Sequence, residues 1–316
     1  RNWILAAFWL STSLVALAQK SAEEPKGKAI VQVFGNFHSG FGHANDDRGF
    51  ELDRSYLGYQ YDLGHGLEVK GVMDIGQSDD VNDFHRIAYI KNAQISWRTG
   101  KWTLTGGLIS NTQFNVQEKF WGYRYVMKSF QDLYKFGNSA DLGVSVAYKF
   151  TNWISADAIV VNGEGYKKVQ KNDGLMYGLG TTLTPAEGIT MRVYYGLNEG
   201  ADEMKKDVQN LATFIGLKLD WFSLGAEYNW MWNAKNMEGS DYKGFSIYGN
   251  AKLNKKVDAY IRYDHCSDDN SGFITGFQCK LGKYVKIAPN FRINHREVDG
   301  GHQNTSMGYI SCYFGF

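Results

Sequence analysis

The feature that most constrains the fold is a two-residue alternation of apolar and polar side chains that recurs along the chain. Between residues 189 and 193, for example, Ile189, Met191 and Val193 alternate with Thr190 and Arg192. Successive side chains of a β-strand point to opposite faces, so such segments are predicted to be strands with one apolar face. Only 3 Pro stand against 36 Gly, 20 Tyr and 19 Phe. Because sheet interiors reject proline and favour aromatic residues, this composition indicates an all-β protein.

Sixteen alternating segments separated by turn residues can be distinguished. Tight turns such as Gly64–Gly66, Thr99–Gly100 and Asn254–Lys255 alternate with longer loops. Short periplasmic turns and long outer loops are typical of a bacterial membrane barrel, and an even strand number brings both termini to the periplasmic side. We therefore predict an all-β fold, a transmembrane antiparallel β-barrel of about 16 strands. The predicted strands are residues 29–41, 49–63, 66–78, 84–98, 101–113, 140–150, 153–163, 174–184, 188–198, 209–220, 222–233, 242–253, 256–266, 271–282, 284–296 and 306–316.

The positions of the aromatic residues support this prediction independently. Trp97, Trp102 and Trp221 all lie close to predicted tight turns. A membrane interface favours such girdles at strand ends, whereas a soluble propeller or sandwich, the alternative, would place aromatic side chains in a core. A helical membrane protein is excluded, because no stretch after residue 18 approaches twenty apolar residues and the mean hydropathy is −0.39.

The chain ends in a strand that places Ile310, Cys312, Phe314 and Phe316 on one face. This segment resembles the closing strand of bacterial outer-membrane β-barrels, whose terminal aromatic residue is part of the insertion signal. The resemblance implies that the protein lies in the bacterial outer membrane, in contact with outer-membrane lipid and lipopolysaccharide.

The first residues have the pattern of a secretory signal peptide. An apolar run from Trp3 to Leu10 precedes Ala16-Leu17-Ala18, an A-x-A processing site. The alternative is a membrane helix, but Ser11 to Ser13 interrupt the apolar core and leave it short for a span. We predict a signal peptide at residues 1–18, a polar N-terminal segment at 19–28 and the barrel at 29–316.

The polar phase of the strands carries charges of both signs, which excludes a dry core because an unpaired buried charge is costly. A barrel of sixteen strands also leaves room for an aqueous channel. Cations outnumber anions in this phase, which favours weak anion preference; cross-strand salt bridging without selectivity is the alternative. The predicted lumen-lining cations are Arg54, Lys70, Arg86, Arg192, Arg262 and Arg292.

Residues 114–140 form a third loop far longer than a usual hairpin connection. Its large apolar residues, Phe120, Trp121 and Phe130 among them, need a surface to pack on. We expect this loop to fold into the lumen and narrow the pore; a cap or helix packed across the mouth is the alternative. The predicted constriction residues are Lys119, Arg124, Lys128 and Lys135.

Three runs carry a more specific resemblance: FELDRSYLGY at residues 50–59, WGYRY at 121–125 followed by KSF at 128–130, and SADLGV at 139–144. They resemble the porins of the Bacteroidota that are related to the phosphate-selective porin O and P family. The resemblance implies a sixteen-stranded, commonly trimeric diffusion channel with basic residues on its constriction. Arg124 and Lys128 match the loop pattern of that family.

The predicted function is a porin, a passive channel for small hydrophilic solutes with a weak preference for anions such as phosphate or other acidic solutes. A non-conducting adhesion or structural barrel is the alternative, and a barrel enzyme a lesser one, since no serine motif accompanies the histidines. We expect no catalytic site and no cofactor. The 3 cysteines show no metal-ligand spacing, and a net charge of +1 without a basic cluster argues against nucleic acid.

Overall fold

The computed structural model describes residues 26–77, 86–170, 173–201, 205–298 and 301–316. The predicted signal peptide and most of the segment 19–28 lie outside these residues, and Lys26 to Lys28 belong to the first strand. Sixteen strands follow one another in the described chain: β1 Lys26–Phe41, β2 Arg48–Gly64, β3 Leu67–Gln77, β4 Arg86–Thr99, β5 Trp102–Ser110, β6 Ala140–Lys149, β7 Ile154–Val161, β8 Met176–Leu183, β9 Ile189–Asn198, β10 Val208–Lys218, β11 Phe222–Trp232, β12 Tyr242–Lys252, β13 Val257–Cys266, β14 Ser271–Lys280, β15 Val285–Val298 and β16 Gly301–Gly315.

The strands form one closed antiparallel barrel in which every strand pairs with its neighbours in the sequence. Closure joins β1 to β16 in a register that pairs Gln32 with Gly315. The backbones of Val31 and Phe316 exchange two hydrogen bonds of 3.2 and 3.0 Å at this seam. A closed barrel has no unpaired strand edge, which is the condition for a sheet to stand in lipid. The predicted all-β barrel of sixteen strands is confirmed.

In the described part of the chain, helical structure is confined to short segments of the connections. Within the third loop, α1 spans Asn115–Trp121 and α2 spans Phe130–Leu133. Single 3₁₀ turns cover Gly42–Ala44 and Ala234–Asn236. Among the residues that the structure describes, no helix has the length and apolar character needed to cross a membrane.

Side-chain exposure follows the alternation predicted from the sequence. On β9, Val193 is 53% exposed, whereas Arg192 and Tyr194 on the opposite face are 2% and 0% exposed. Ile310, Phe314 and Phe316 likewise lie on the exposed face near the C-terminus. The barrel therefore presents an apolar outer wall and buries polar and aromatic side chains inside, as a membrane barrel must. This wall and the fold fit the bacterial outer membrane.

A β-bulge on β4 interrupts that alternation. Val72 of β3 pairs with Asn92 and Met73 pairs with Ile90, so Lys91 is the extra residue. A bulge reverses the phase of the residues beyond it. Arg86 consequently shares a face with Ile90, which is 60% exposed, and its guanidinium donates to the carbonyl oxygen of Leu52 at 2.8 Å. The alternation therefore does not carry Arg86 into the lumen, although the sequence pattern predicted it there.

Candidate functional site

The third loop, residues 111–139, is fixed to the barrel interior at its start by an arginine on β9. Arg192 makes a bidentate ion pair with Asp157 of β7, with N–O distances of 2.7 and 2.9 Å. The same guanidinium donates to the carbonyl oxygens of Thr112 at 2.7 Å and Gln113 at 3.4 Å. Charge-assisted hydrogen bonds of this kind are about twice as strong as neutral ones. Arg192 therefore anchors the loop and is itself neutralised by Asp157.

Two further arginines hold the middle of the loop. Arg262 on β13 pairs with Asp264 through two hydrogen bonds of 2.8 and 2.7 Å and donates to the carbonyl oxygen of Lys128 at 2.7 Å. Arg292 on β15 donates to the carbonyl oxygen of Val126 at 2.7 Å. Three of the predicted lumen-lining cations, Arg192, Arg262 and Arg292, therefore bind the backbone of the loop.

Aromatic rings complete the attachment of the loop to the inner wall. Trp121 and Phe130 are 2% and 0% exposed. The Trp121 ring lies 5.4 Å from Tyr248 of β12, and Tyr123 lies 4.6 Å from Tyr260 of β13. Aromatic rings at such centroid distances attract each other beyond their area burial. The apolar residues of the loop thus pack on side chains that point away from lipid.

On the opposite side of the loop, three cations converge on one phenol oxygen. The Tyr56 hydroxyl accepts hydrogen bonds from Arg54 at 3.0 Å, Lys91 at 3.0 Å and Arg124 at 3.2 Å. Arg54 and Lys91 stand on β2 and β4, whereas Arg124 belongs to the third loop. We call these four residues the Tyr56 cluster. It joins the loop to the wall formed by β2 and β4.

Two residues of the Tyr56 cluster are also paired with carboxylates. Arg124 contacts Glu118 at 2.9 Å and Asp132 at 2.5 Å, both within the third loop. Arg54 contacts Asp74 of β3 at 3.1 Å. Burial would raise the pKa of the Asp132 carboxyl, but Arg124 and Lys128 hold the pKa below its usual 3.8. Asp132 therefore stays ionised and neutralises Arg124 across the ordinary pH range.

A cavity of about 770 Å³ lies between the third loop and the long-loop end of the barrel. We call it the outer chamber. Among the described residues, seven cations and three carboxylates line it, so this lining carries an excess of positive charge. The cations are Arg54, Arg124, Lys128, Lys135, Lys167, Arg292 and Arg296, and the carboxylates are Glu51, Asp53 and Glu297.

A second cavity of about 680 Å³ lies toward the short turns and is lined by Lys119, Phe120, Thr190 and Lys218. We call it the inner chamber. The predicted constriction residues are therefore divided between the chambers, with Lys119 in the inner one and Arg124, Lys128 and Lys135 in the outer one. Lys119, Lys128 and Lys135 are exposed to solvent, whereas Arg124 is engaged in its ion pairs.

Lys91 and Lys167 are among the described cations near the outer chamber that were not identified from the sequence. The sequence pattern missed Lys91 because the bulge on β4 directs its side chain inward, against the alternation of the strand, and no nearby residue indicates that bulge. It missed Lys167 because this residue lies on the loop between β7 and β8, where no alternation predicts the direction of a side chain. Lys70 on β3, predicted to line the lumen, is half-buried and shares a face with the buried Val72. Across the described ranges, no group of three or more His, Cys, Asp or Glu side chains is arranged to hold a metal ion.

Solved structures resemble this barrel closely in shape and weakly in sequence. The anion-selective porin from Comamonas acidovorans matches with a TM-score of 0.68 at 12% identity, over 93% of this chain and 100% of that chain. Pseudomonas putida OprB matches with 0.70 at 11% identity, over 92% and 94%. Salmonella typhi OmpF, in complex with daunomycin, matches with 0.68 at 9% identity, over 92% and 98%. Neither a scan against protein families nor a search of curated proteins finds a match. The chain has the sixteen-stranded barrel fold of the outer-membrane porins.

Proposed function

We propose that this protein is an outer-membrane porin, a passive diffusion channel for small hydrophilic solutes with a weak preference for anions, among them phosphate or other acidic solutes. The carrying observation is the outer chamber, where the described lining residues include seven cations and three carboxylates. Low-dielectric walls focus the field of such a charge excess and raise the local concentration of anions. In this proposal the third loop narrows the passage between the two chambers.

The preference is expected to be weak because several lining cations are already paired. Arg124 faces two carboxylates, and Arg54 faces Asp74. Lys128 and Lys135 are exposed and are the cations of the third loop that a passing anion meets in the outer chamber. The proposal therefore assigns selectivity to these lysines and a structural role to Arg124.

Planar-bilayer recordings in a potassium chloride gradient test the proposal. Discrete channels with a reversal potential on the anion side are expected. Changing Lys128 and Lys135 together to Gln should move the reversal potential toward cations. The control is Lys255→Gln, because Lys255 is exposed on a short turn. Cation preference in the unmodified protein, or equal shifts in the variant and the control, would refute it.

A non-conducting structural or adhesion barrel is the second candidate. The aromatic packing of Trp121, Tyr123 and Phe130 against the inner wall favours it, because this packing fills part of the lumen. The same recordings separate the two, since a filled barrel gives no channels. A catalytic role is not proposed.

The porin resemblance also suggests a homotrimer. Vibrio cholerae OmpT, one of the similar structures, has been solved in a trimer form. Light scattering in detergent measures the number of subunits directly.

A further inference from the structure

The loop between β7 and β8 folds back onto the barrel interior next to the third loop. The Asp141 carboxylate accepts hydrogen bonds from the backbone N–H groups of Gly163 at 2.7 Å and Gly165 at 3.0 Å. Asn138 of the third loop donates to the carbonyl oxygen of Gly163 at 2.9 Å. Asp141 is 3% exposed, so these bonds are shielded from competing water. The start of this loop therefore has a fixed direction.

Glycine is required at both turns of this segment. Gly163 and Gly165 have φ values of +98° and +84°, which other residues rarely adopt. A Cβ atom on Gly165 would also lie 2.7 Å from the side chain of Asn138. The two glycines thus allow a backbone conformation that other residues rarely adopt, directly before Tyr166 and Lys167.

Tyr166 reaches across the inner face of the barrel. Its hydroxyl donates to Asp74 on β3, although β4, β5 and β6 lie between β3 and β7 in the barrel order. The Tyr166 ring also meets Tyr89 of β4 edge-on at 6.3 Å, and the ammonium group of Lys91 lies 5.7 Å from its centroid. Asp74 is thereby enclosed, because Arg54 contacts its other carboxylate oxygen.

Lys167, the next residue, lines the outer chamber with Arg124 and Lys128. Its ammonium group lies 5.0 Å from the centroid of the Tyr89 ring. The side chain is exposed, and an aromatic face attracts a cation without neutralising it. Its charge therefore acts on whatever enters the chamber.

We propose that the loop between β7 and β8 is a second pore-lining element and that Lys167 is a specificity-determining residue for anions, positioned by Tyr166. This inference rests on the proposed porin function. Two loops then contribute cations to the outer chamber. The third loop contributes Lys128 and Lys135, and the loop between β7 and β8 contributes Lys167. Tyr166 acts through its neighbours, because its hydroxyl covers Asp74 and fixes the adjoining Lys167.

Lys167→Gln is the first test, with Lys168→Gln as the matched control. Both lysines are exposed, but Lys168 has its described contact through the backbone, to Gly165 at 3.1 Å. For a unit charge about 8 Å from the ion path, Coulomb's law in water with Debye screening gives a fall in the anion-to-cation permeability ratio of about twofold at 0.15 M salt and about fourfold at 0.01 M. An unchanged ratio in Lys167→Gln, or an equal fall in Lys168→Gln, overturns the inference.

Charge replacement at one position is the second test. Lys167→Cys is made in a protein whose native cysteines, Cys266, Cys279 and Cys312, are changed to Ala. A cationic thiol reagent added on the long-loop side should restore the original permeability ratio. An anionic reagent should lower the ratio below that of Lys167→Gln. Identical effects of the two reagents would show that the position is remote from the ion path.

Tyr166→Phe tests the positioning role, since it keeps the ring and removes the O–H donor to Asp74. It should lower the permeability ratio, and the effect should vanish in a Lys167→Gln background. An additive effect would assign Tyr166 to general stability and overturn its positioning role.

If the unmodified protein forms no channels or prefers cations, the porin proposal itself fails. If it prefers anions and Lys128→Gln shifts the ratio while Lys167→Gln does not, this inference alone fails.

Discussion

The Arg262→Gln variant separates the stability of the barrel from the attachment of the third loop. Arg262 is 1% exposed, pairs with Asp264 and donates to the carbonyl oxygen of Lys128 at 2.7 Å. Its guanidinium also lies 5.1 Å from the centroid of the Trp121 ring. Glutamine cannot replace the planar fork that satisfies the carboxylate and the carbonyl together.

Two losses with different consequences follow. Asp264 is 1% exposed, and leaving a buried carboxylate without its partner costs about 3–5 kcal/mol of barrel stability. Loss of the charge-assisted hydrogen bond to Lys128 costs about 1.5–3 kcal/mol, and this part concerns the loop. A change of that size raises the detached fraction of the loop by about one to two orders of magnitude. The current should therefore become noisier, with frequent larger openings.

A double variant tells these losses apart. Arg262→Met with Asp264→Leu replaces the buried pair by apolar side chains, an exchange that is often neutral or stabilising. Its unfolding midpoint, followed by heat-modifiable gel mobility, should return close to that of the unmodified protein. Its single-channel noise should remain high because the bond to the loop is still missing. A quiet current of normal amplitude in the stable double variant would refute the assignment of Arg262 as a loop anchor.

Three further outcomes are expected. Burial would raise the pKa of Asp132, but Arg124 and Lys128 hold this pKa below 3.8. The stability from the Asp132–Arg124 ion pair is therefore present above pH 3.8 and is lost as the pH falls through the lowered pKa. Channel noise should rise only below pH 3.8, and Asp132→Asn should abolish that transition. Phe130 is 0% exposed, so Phe130→Cys in a cysteine-free background should react slowly with impermeant thiol reagents, and fast labelling would put the loop on the surface. Deleting Phe316 removes the backbone bonds to Val31 and should slow assembly; unchanged folding rates into vesicles would argue against that role.

Strand number and order were predictable from the sequence because the membrane imposes alternation on every strand. The tight turns between predicted strands fixed most boundaries, although β16 begins at Gly301, five residues before the predicted 306. The inward or outward direction of a side chain was predictable only in strand segments without a bulge. The inward turn of Lys91 and the outward phase of Arg86 depend on one extra residue in β4, which the local composition does not mark.

The partners of the arginines were beyond the sequence for a different reason. Arg192, Arg262 and Arg292 donate to backbone carbonyl groups of the third loop, and every residue carries such a group. Their role therefore depends on where the loop lies in three dimensions. A sequence pattern identified them as lumen-facing cations, and only the structure shows them bound to the third loop.

This use of arginines explains why a large count of inward cations leads only to a weak expected preference. Arg192 and Arg262 are each matched by one carboxylate, Asp157 and Asp264, so the pairs contribute little net field. These ion pairs hold the third loop in position, which brings its exposed lysines Lys128 and Lys135 into the outer chamber. Selectivity then depends on few charges in water, where screening acts over about 8 Å at physiological salt. A channel of this kind should lose most of its preference between 0.01 M and 1 M salt, whereas one lined by unpaired buried cations would keep it.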